Sequence, residues 1–172
     1  MNILNELQML SEAKGKNLIG LTIGGKKITK QTPSEHWPGN FGCSDNQLTS
    51  LEGAPASVGG NFYCSDNQLT SLEGAPASVG GYFGCSSNRL TSLEGIHKIL
   101  KQMNGIFYAN NNPLKSNVIG LLLVKGCKEV ELDNRQVQEI MNRHLPNTKG
   151  HLGLLECQEE LLSAEFIEWA KL

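Results

Sequence analysis

The stretch Asn61–Gly81, NFYCSDNQLTSLEGAPASVGG, decides the fold because its two neighbours nearly repeat it. Residues 40–60 read NFGCSDNQLTSLEGAPASVGG, and YFGCSSNRLTSLEG follows from Tyr82, so the period is 21 residues. A fixed period of about 20–30 residues is typical of a solenoid, in which each coil buries its apolar side against its neighbours. The sequence therefore predicts a stack of coils, an architecture that favours a binding surface over an active site.

Apolar residues recur at fixed places in every copy. Phe and Cys alternate at period two, and residues two apart point to the same face of a strand, so we predict one short parallel strand per coil with these side chains inside. Leucines later in each copy turn the chain inward again. The predicted core columns are Phe41, Phe62, Phe83 and Phe107; Cys43, Cys64, Cys85 and Ala109; Leu48, Leu69, Leu90 and Leu114; Leu51, Leu72 and Leu93; and Trp37, Val58 and Val79.

An asparagine follows each predicted strand. A buried amide is costly unless its donors and acceptors are met, and a stacked ladder meets them by bonding the backbone of adjacent coils. We therefore predict a structural role rather than a catalytic one for this column. Its members are Asn46, Asn67, Asn88 and Asn112.

The series F-x-C-x-x-N-x-L-T-x-L-x-G-x-P over residues 37–115 resembles the leucine-rich repeat family, whose consensus is L-x-x-L-x-L-x-x-N-x-L. It is most similar to the short bacterial type, especially the C-S-x-N-x-L-T-S-L-E-G-A-P repeats of bacteriophage and bacterial proteins. Phe and Cys replace two of its leucines. The matching residues of one coil are Asn67, Leu69, Thr70, Leu72, Pro76 and Val79.

The resemblance implies an α/β solenoid and recognition of another protein through its concave strands. It further implies a small intracellular phage or bacterial adaptor or inhibitor that binds a host or defence protein. We expect no enzymatic activity and no cofactor.

Three regions are predicted: an N-terminal cap over residues 1–36, the solenoid over 37–115, and a mainly helical C-terminal lobe over 116–172. The cap combines a helix over residues 2–14 with a hairpin turning at Gly24–Gly25. Repeat arrays need such caps because an end coil exposes unpaired edges.

Helical spacing indicates where the repeat pattern changes. In IHKILKQMNG, four apolar residues share one helix face, and Asn104–Gly105 is a stop signal. Ser116 to Lys125 also looks helical, and Asp133 with Gln136 forms a capping-box pattern. The predicted buried helix positions are Ile96, Ile99, Leu100 and Met103; Val137, Ile140, Met141 and either His144 or Leu145; and, in a helical 152–172, Leu155, Leu162, Phe166 and Trp169.

Composition favours a cytoplasmic protein without a reactive centre. The net charge is −2, and the odd number of cysteines, five, suits a reducing compartment. The N-terminus does not have the pattern of a secretory signal, and the apolar run Val118–Val124 is too short to span a bilayer. Stacked cysteines point the same way, whereas zinc needs converging ligands, so no metal site is predicted.

Two carboxylate columns leave an alternative open. Like charges about 5 Å apart are tolerated when they are solvated, so we interpret these columns as a hydrated rim. Shared binding of a calcium ion is the alternative. The columns are Glu52, Glu73 and Glu94, and Asp45 with Asp66.

Residues that alternate with the core positions are the predicted partner-binding surface. Tyrosines among Ser, Gly and Asn are typical of adaptable protein-binding surfaces, although ordinary surface tyrosines fit as well. Other hypotheses are self-assembly through the C-terminal helices, or binding of a small ligand or nucleic acid by the tyrosines or the N-terminal lysines. The predicted site residues are Asn40, Ser44, Asp45, Asn61, Tyr63, Ser65, Asp66, Tyr82, Ser86, Tyr108 and Asn110.

Overall fold

The protein is a parallel-strand solenoid of about four turns with a few helices. The computed structural model describes residues 17–23, 26–145 and 151–172. In chain order its elements are β1 (Thr22–Ile23), β2 (Lys26–Lys27), a 3₁₀ helix (Thr32–Ser34), β3 (His36–Trp37), β4 (Phe41–Gly42), β5 (Ser57–Val58), β6 (Phe62–Tyr63), β7 (Ser78–Val79), β8 (Phe83–Gly84), α1 (Ile96–Ile99), β9 (Gln102–Tyr108), a second 3₁₀ helix (Ile119–Leu123), β10 (Lys125–Glu131), α2 (Arg135–His144) and α3 (His151–Ser163).

Two columns of short strands run through the stack and meet in β9. One column is β3, β5 and β7, the other is β4, β6 and β8, and the seven-residue β9 pairs in parallel with the last member of each. The register places like residues together: Phe41 lies opposite Phe62, and Trp37 opposite Val58. The predicted registered columns are confirmed.

The core is built from those columns. The four stacked phenylalanines are fully buried, with successive ring centroids 5.6, 5.1 and 5.1 Å apart. The column of Cys43, Cys64 and Cys85 is also fully buried. Because each ring packs against the same ring of the next coil, the apolar surface of one coil is covered only by its neighbours.

Paired glycines let adjacent coils approach closely between the two strand columns. A Cβ added to Gly80 would lie 2.0 Å from the backbone oxygen of Gly59, and one added to Gly59 would lie 2.5 Å from that of Pro38. Backbone atoms cannot move aside as a side chain can. A side chain at these positions would therefore push the coils apart.

The predicted asparagine ladder is present. Asn67, Asn88 and Asn112 are buried, and each amide bonds the backbone of its own coil and of the preceding one. Asn67 makes the fullest set: its Oδ1 accepts from the N–H groups of Leu48 (2.8 Å) and Asn46 (3.1 Å), and its Nδ2 donates to the carbonyls of Cys43, Cys64 and Ser65 (3.0, 3.0 and 3.1 Å).

The predicted N-terminal hairpin is present as β1 paired antiparallel with β2. The helix predicted over residues 2–14 and the Gly24–Gly25 turn lie outside the described residues. Leu18 and Ile28, on either side of the hairpin, are buried in the core. The Leu18 N–H also donates to the carbonyl of Glu52 (3.0 Å), which attaches this segment to the first coil.

The helix predicted in the third copy forms as α1, but it ends earlier than expected. Its C-cap is Leu100, and Asn104–Gly105 lie inside β9 instead of ending the helix. The Lys101 and Gln102 N–H groups both donate to the carbonyl of Ala77 (2.8 and 3.3 Å). From Lys101 onward the backbone N–H groups therefore bond the preceding coil instead of continuing the helix.

Two predictions for residues 116–134 need correction. The predicted helix over 116–125 is only the short 3₁₀ helix Ile119–Leu123, followed directly by β10. The N-cap of α2 is Asn134, whose side chain accepts from the Val137 N–H (3.1 Å), and not Asp133. The Asp133 carboxylate instead accepts from the Asn111 and Asn112 N–H groups (2.9 and 3.2 Å), which ends the asparagine ladder.

Side chains of α2 cover the outer edge of β10. Asn142 accepts from the Val130 N–H (2.8 Å) and donates to the Val130 carbonyl (3.0 Å), and Gln138 accepts from the Leu132 N–H (2.8 Å). The predicted buried face of α2 is confirmed, with Leu145 rather than His144 inside. An exposed strand edge is a template for aggregation, so these amides protect it.

The predicted core face of α3 is wrong. Leu155 and Leu162 are 53% and 47% exposed, and Leu154, Cys157 and Leu161 are buried instead. Phe166 and Trp169, beyond the end of α3, are partly buried against the core. Among the described residues, no helix is both long and apolar enough to cross a bilayer.

Candidate functional site

The predicted site residues lie in β6 and β9 or in the segments that flank β4, β6, β8 and β9, and we call the outward side of these strands, with those flanking residues, the strand face. All of them except Asp45 and Asp66 alternate with the fully buried Phe and Cys positions, and alternate residues of a strand point to opposite sides. Asn40, Asp45, Asp66 and Tyr82 are exposed, while Asn61, Tyr63, Tyr108, Asn110 and the serines Ser44, Ser65 and Ser86 are half-buried.

Two of these asparagines are engaged by the fold. Asn40 Oδ1 accepts from the Asn61 N–H (2.8 Å), and Asn61 Oδ1 accepts from the Tyr82 N–H (2.8 Å). Asn61 Nδ2 also donates to the hydroxyl of Tyr63 (2.7 Å). These side chains connect successive coils. Their conformations are therefore fixed by the fold, and they would not rearrange to fit a partner.

Two tyrosines lie against glycines of the next coil. A Cβ added to Gly84 would be 3.1 Å from Tyr63 Cδ1, and one added to Gly105 would be 2.3 Å from Tyr82 Cδ1. The absence of a side chain at Gly84 and Gly105 therefore gives the rings room. The rings are thereby supported from one side by the backbone of the next coil.

Tyr82 and Tyr108 form an aromatic corner. Their ring centroids are 6.0 Å apart with an interplanar angle of 77°, and Tyr82 is 41% exposed. Edge-to-face geometry at this separation is favourable for aromatic pairs. The corner is the most exposed aromatic feature of the strand face.

Some of the serines and aspartates of the strand face have a structural role. Ser86 Oγ donates to Asn110 Oδ1 (2.5 Å). Asp45 and Asp66 have positive φ values of 58° and 54°, a conformation that Asp tolerates better than most residues. Their carboxylates are exposed, in agreement with a solvated rim.

Strand β10 adds two residues to this face that sequence reasoning missed. Glu131 lies opposite Tyr108 in the register, and Glu129 lies opposite Ile106. Burial raises the pKa of Tyr108 first of all, and the negative charges of Glu131 and Glu129 raise it further. Asp133 follows Asn112 by 21 residues, the period of the repeat, which indicates a further turn of chain but not its register, since the same offset would place Glu129 rather than Glu131 opposite Tyr108.

The cysteines lack the features of reactive thiols. Burial raises the pKa of Cys43, Cys127 and Cys157 to about 12, and it raises the pKa of Cys64 and Cys85 as well. A nucleophilic cysteine needs a lowered pKa, whereas all of these thiols stay protonated at neutral pH. Across residues 17–23, 26–145 and 151–172, no group of three or more His, Cys, Asp or Glu side chains is placed to hold a metal ion.

A cavity of about 360 Å³ lies apart from the strand face. It is bounded by the T-S-L and S-L-E-G segments of the second and third copies and by α1. No predicted site residue lines it. Its lining residues are Thr70, Ser71, Leu72, Ser92, Leu93, Glu94, Gly95, Ile96, Lys98 and Ile99.

The chain was compared with family models, curated proteins and solved structures. The chain matches no family model, no curated protein and no solved structure.

Proposed function

We propose that this protein is a non-enzymatic binding module that recognises another protein through its strand face. The observation that carries the proposal is the Tyr82–Tyr108 corner, in which Tyr82 is exposed and Tyr108 half-buried, set among small polar residues beside strands that pair in register. Tyrosine offers a large contact area at low conformational cost, and Ser, Gly and Asn offer adaptable hydrogen bonds. A rigid scaffold reduces the entropy lost on binding.

We further propose that the coils are leucine-rich repeats of the short bacterial type. The buried asparagine ladder and the stacked apolar columns support that assignment. Leu18 and Ile28, packed on the first coil, and α2, packed along β10, have the positions expected of caps at the two ends. A cytoplasmic phage or bacterial adaptor or inhibitor that acts on a host or defence protein is the role that the resemblance favours.

Co-purification with mass spectrometry tests the binding function. Tagged wild-type protein should capture one stoichiometric protein, and Tyr63→Ala and Tyr82→Ala should each lose it. Leu155→Ala is the matched control, since it removes an exposed apolar side chain outside the strand face. Capture by both tyrosine variants at the wild-type level would count against the strand face as the binding site.

A second candidate function, self-assembly through α3, is favoured by one specific observation. Leu155 and Leu162 are exposed and lie seven residues apart, so they share one side of the helix. In this case, light scattering should show a mass that rises with concentration, and Leu155→Lys should abolish the rise. A constant monomer mass at high concentration would exclude it.

A further inference from the structure

The aromatic corner lies beside unpaired negative charge. Glu129 and Glu131 occupy outward positions on β10, directly next to Ile106 and Tyr108 of β9. Neighbouring strands are about 4.8 Å apart, so the register places Glu131 directly beside Tyr108, and Glu129 one outward position before it. In the part of the chain that the structure describes, neither glutamate takes part in an ion pair.

On β4, β6, β8 and β9 the charged side chains of the strand face are carboxylates, and the exposed Lys125 of β10 lies opposite Gln102, at the other end of β9 from Tyr108. At the far rim the strand face carries the exposed Asp45 and Asp66, and none of its outward positions on β4, β6, β8 and β9 is Lys or Arg. Lys128 precedes Glu129 at an irregular step in the register of β10 and forms no ion pair among the described residues. A surface of this kind repels phosphate groups, which argues against nucleic acid as its ligand.

The rings and the carboxylates select the same kind of ligand group. A cation is attracted to the face of an aromatic ring within about 6 Å, and it is attracted to carboxylates as well. Tyr82 is exposed, so its ring is accessible to such a cation from solvent, and Tyr108 packs beside it in edge-to-face geometry. Electrostatic complementarity of this kind determines which partner binds and how fast.

We infer, on the basis of the proposed protein-binding function, that the partner presents a Lys or Arg side chain to the Tyr82–Tyr108 corner, where Glu129 and Glu131 balance its charge. The partner surface is therefore a basic protein segment. The tyrosines provide the contact area, and the glutamates provide the preference for positive charge.

The inference can be tested without knowing the partner. The probes are two fluorescein-labelled Gly-Ser peptides, one carrying three lysines and the other three glutamates, and binding is read by fluorescence anisotropy. The lysine peptide should bind and the glutamate peptide should not. The double variant Glu129→Gln/Glu131→Gln should weaken lysine-peptide binding about tenfold, and added salt should weaken wild-type binding.

Matched variants separate a specific site from general charge. Glu73→Gln/Glu94→Gln makes the same change in charge at exposed glutamates away from the strand face and should alter binding by less than about twofold. Tyr82→Phe, which keeps the ring, should bind as the wild type does, whereas Tyr82→Leu should bind more weakly. Urea unfolding of each variant verifies that it is folded.

Several outcomes would overturn the inference. They are equal binding of the two peptides, equal weakening by the two glutamine double variants, and binding by Tyr82→Leu as tight as by Tyr82→Phe. If free tetramethylammonium binds as tightly as the lysine peptide, the site selects a small cation and not a protein segment.

The two proposals can fail separately. A captured protein that is lost with Tyr63→Ala and Tyr82→Ala but kept by Glu129→Gln/Glu131→Gln would preserve the binding function and overturn the charge preference. Specific binding of the lysine peptide without any captured protein would support the cation-selective surface and count against the protein partner.

Discussion

In the coils from Phe41 to Asn112, the side chains that bond buried backbone groups after each strand are of one residue type at one repeated position, whereas the region after Lys125 uses several residue types. Each ladder asparagine after Asn46 bonds its own coil and the one before it. At the C-terminal end the same task falls to three different residues: Asp133 bonds the last coil at Asn111 and Asn112, and Gln138 and Asn142 of α2 bond the end of β10 and the residue after it. The asparagine bonds repeat in successive coils, whereas the bonds of Asp133, Gln138 and Asn142 occur only once.

This difference predicts how damage spreads through the molecule. In a stacked array, stability is approximately a sum of terms for each coil and for each interface between coils, so the loss of a shared residue affects two coils. The contacts of α2 with β10 occur once. Loss of one of them should open only the end of the sheet.

The largest expected effect is that of Asn67→Ala. The change removes the acceptor for the Asn46 and Leu48 N–H groups and the donor to three carbonyls, in a buried site. Each buried polar group left unsatisfied costs about 1–3 kcal/mol, so we expect the free energy of unfolding to fall by about 3–4 kcal/mol. Urea denaturation measures it.

Asn46→Ala is the control for that prediction. Asn46 is half-buried at the first position of the ladder, and its side chain donates only to the carbonyls of Cys43 and Ser44 (3.2 and 2.7 Å). We expect a loss of about 1 kcal/mol. Equal losses for the two variants would mean that the ladder does not connect the coils.

Gly80→Ala should have the next largest effect. The new methyl group would lie 2.0 Å from the oxygen and 2.7 Å from the carbonyl carbon of Gly59, and neither can move without separating the coils. Overpacking of this kind costs about 1–3 kcal/mol. Gly39→Ala, with nothing within 4 Å of its new Cβ, should change unfolding by less than about 0.5 kcal/mol in the same urea experiment. A neutral Gly80→Ala would show that the coils are not closely packed there.

The same comparison explains which parts of the fold could be predicted. The 21-residue repeat assigns each Phe and Asn the place of its counterpart in the next coil, so one correct strand assignment determines all of them. In α3 the periodicity gives no such answer. Leu154 and Leu161 are seven residues apart, and so are Leu155 and Leu162, and only the packing against α2 and the second 3₁₀ helix decides which pair is buried.

The candidate site divides in the same way. The positions of Tyr63, Tyr82 and Tyr108 follow from their alternation with the buried phenylalanines. Glu129 and Glu131 could not be placed by that rule, because the register of β10 against β9 is shifted on both sides of Cys127. Where the pairing is irregular, the alternation of residues along the strand no longer predicts which side of the sheet each side chain points to.

Asn142→Ala should have a smaller and local effect. It removes the two hydrogen bonds that join α2 to Val130 on the edge strand, at an expected cost of about 1–2 kcal/mol. Hydrogen exchange should accelerate at the Val130 amide and stay unchanged at the Phe62 amide. Glu139→Ala, an exposed position of the same helix, should leave both amides unchanged. Faster exchange throughout the coils would contradict the distinction between the two regions.

The smallest effect concerns the contact between α2 and α3. A hydrogen bond from His144 (Nε2 to Oε2, 2.8 Å) lowers the pKa of Glu160, burial opposes that shift, and Arg143 adds to the lowering. Because the pKa is lower in the folded state, the stabilisation is present above the unfolded value of about 4.3 and is lost as the pH falls through the folded pKa. The Glu160 side chain is 37% exposed, so solvent screening keeps the contribution below about 1 kcal/mol.

The free energies of unfolding in urea of the wild type and of Glu160→Gln should therefore differ at pH 6 and converge near pH 3, whereas that of Glu159→Gln should follow the wild type at both pH values. A difference that persists at pH 3 would mean that Glu160 acts through packing and not through its charge, and the contact between the helices would then resemble the uncharged ladder of the coils.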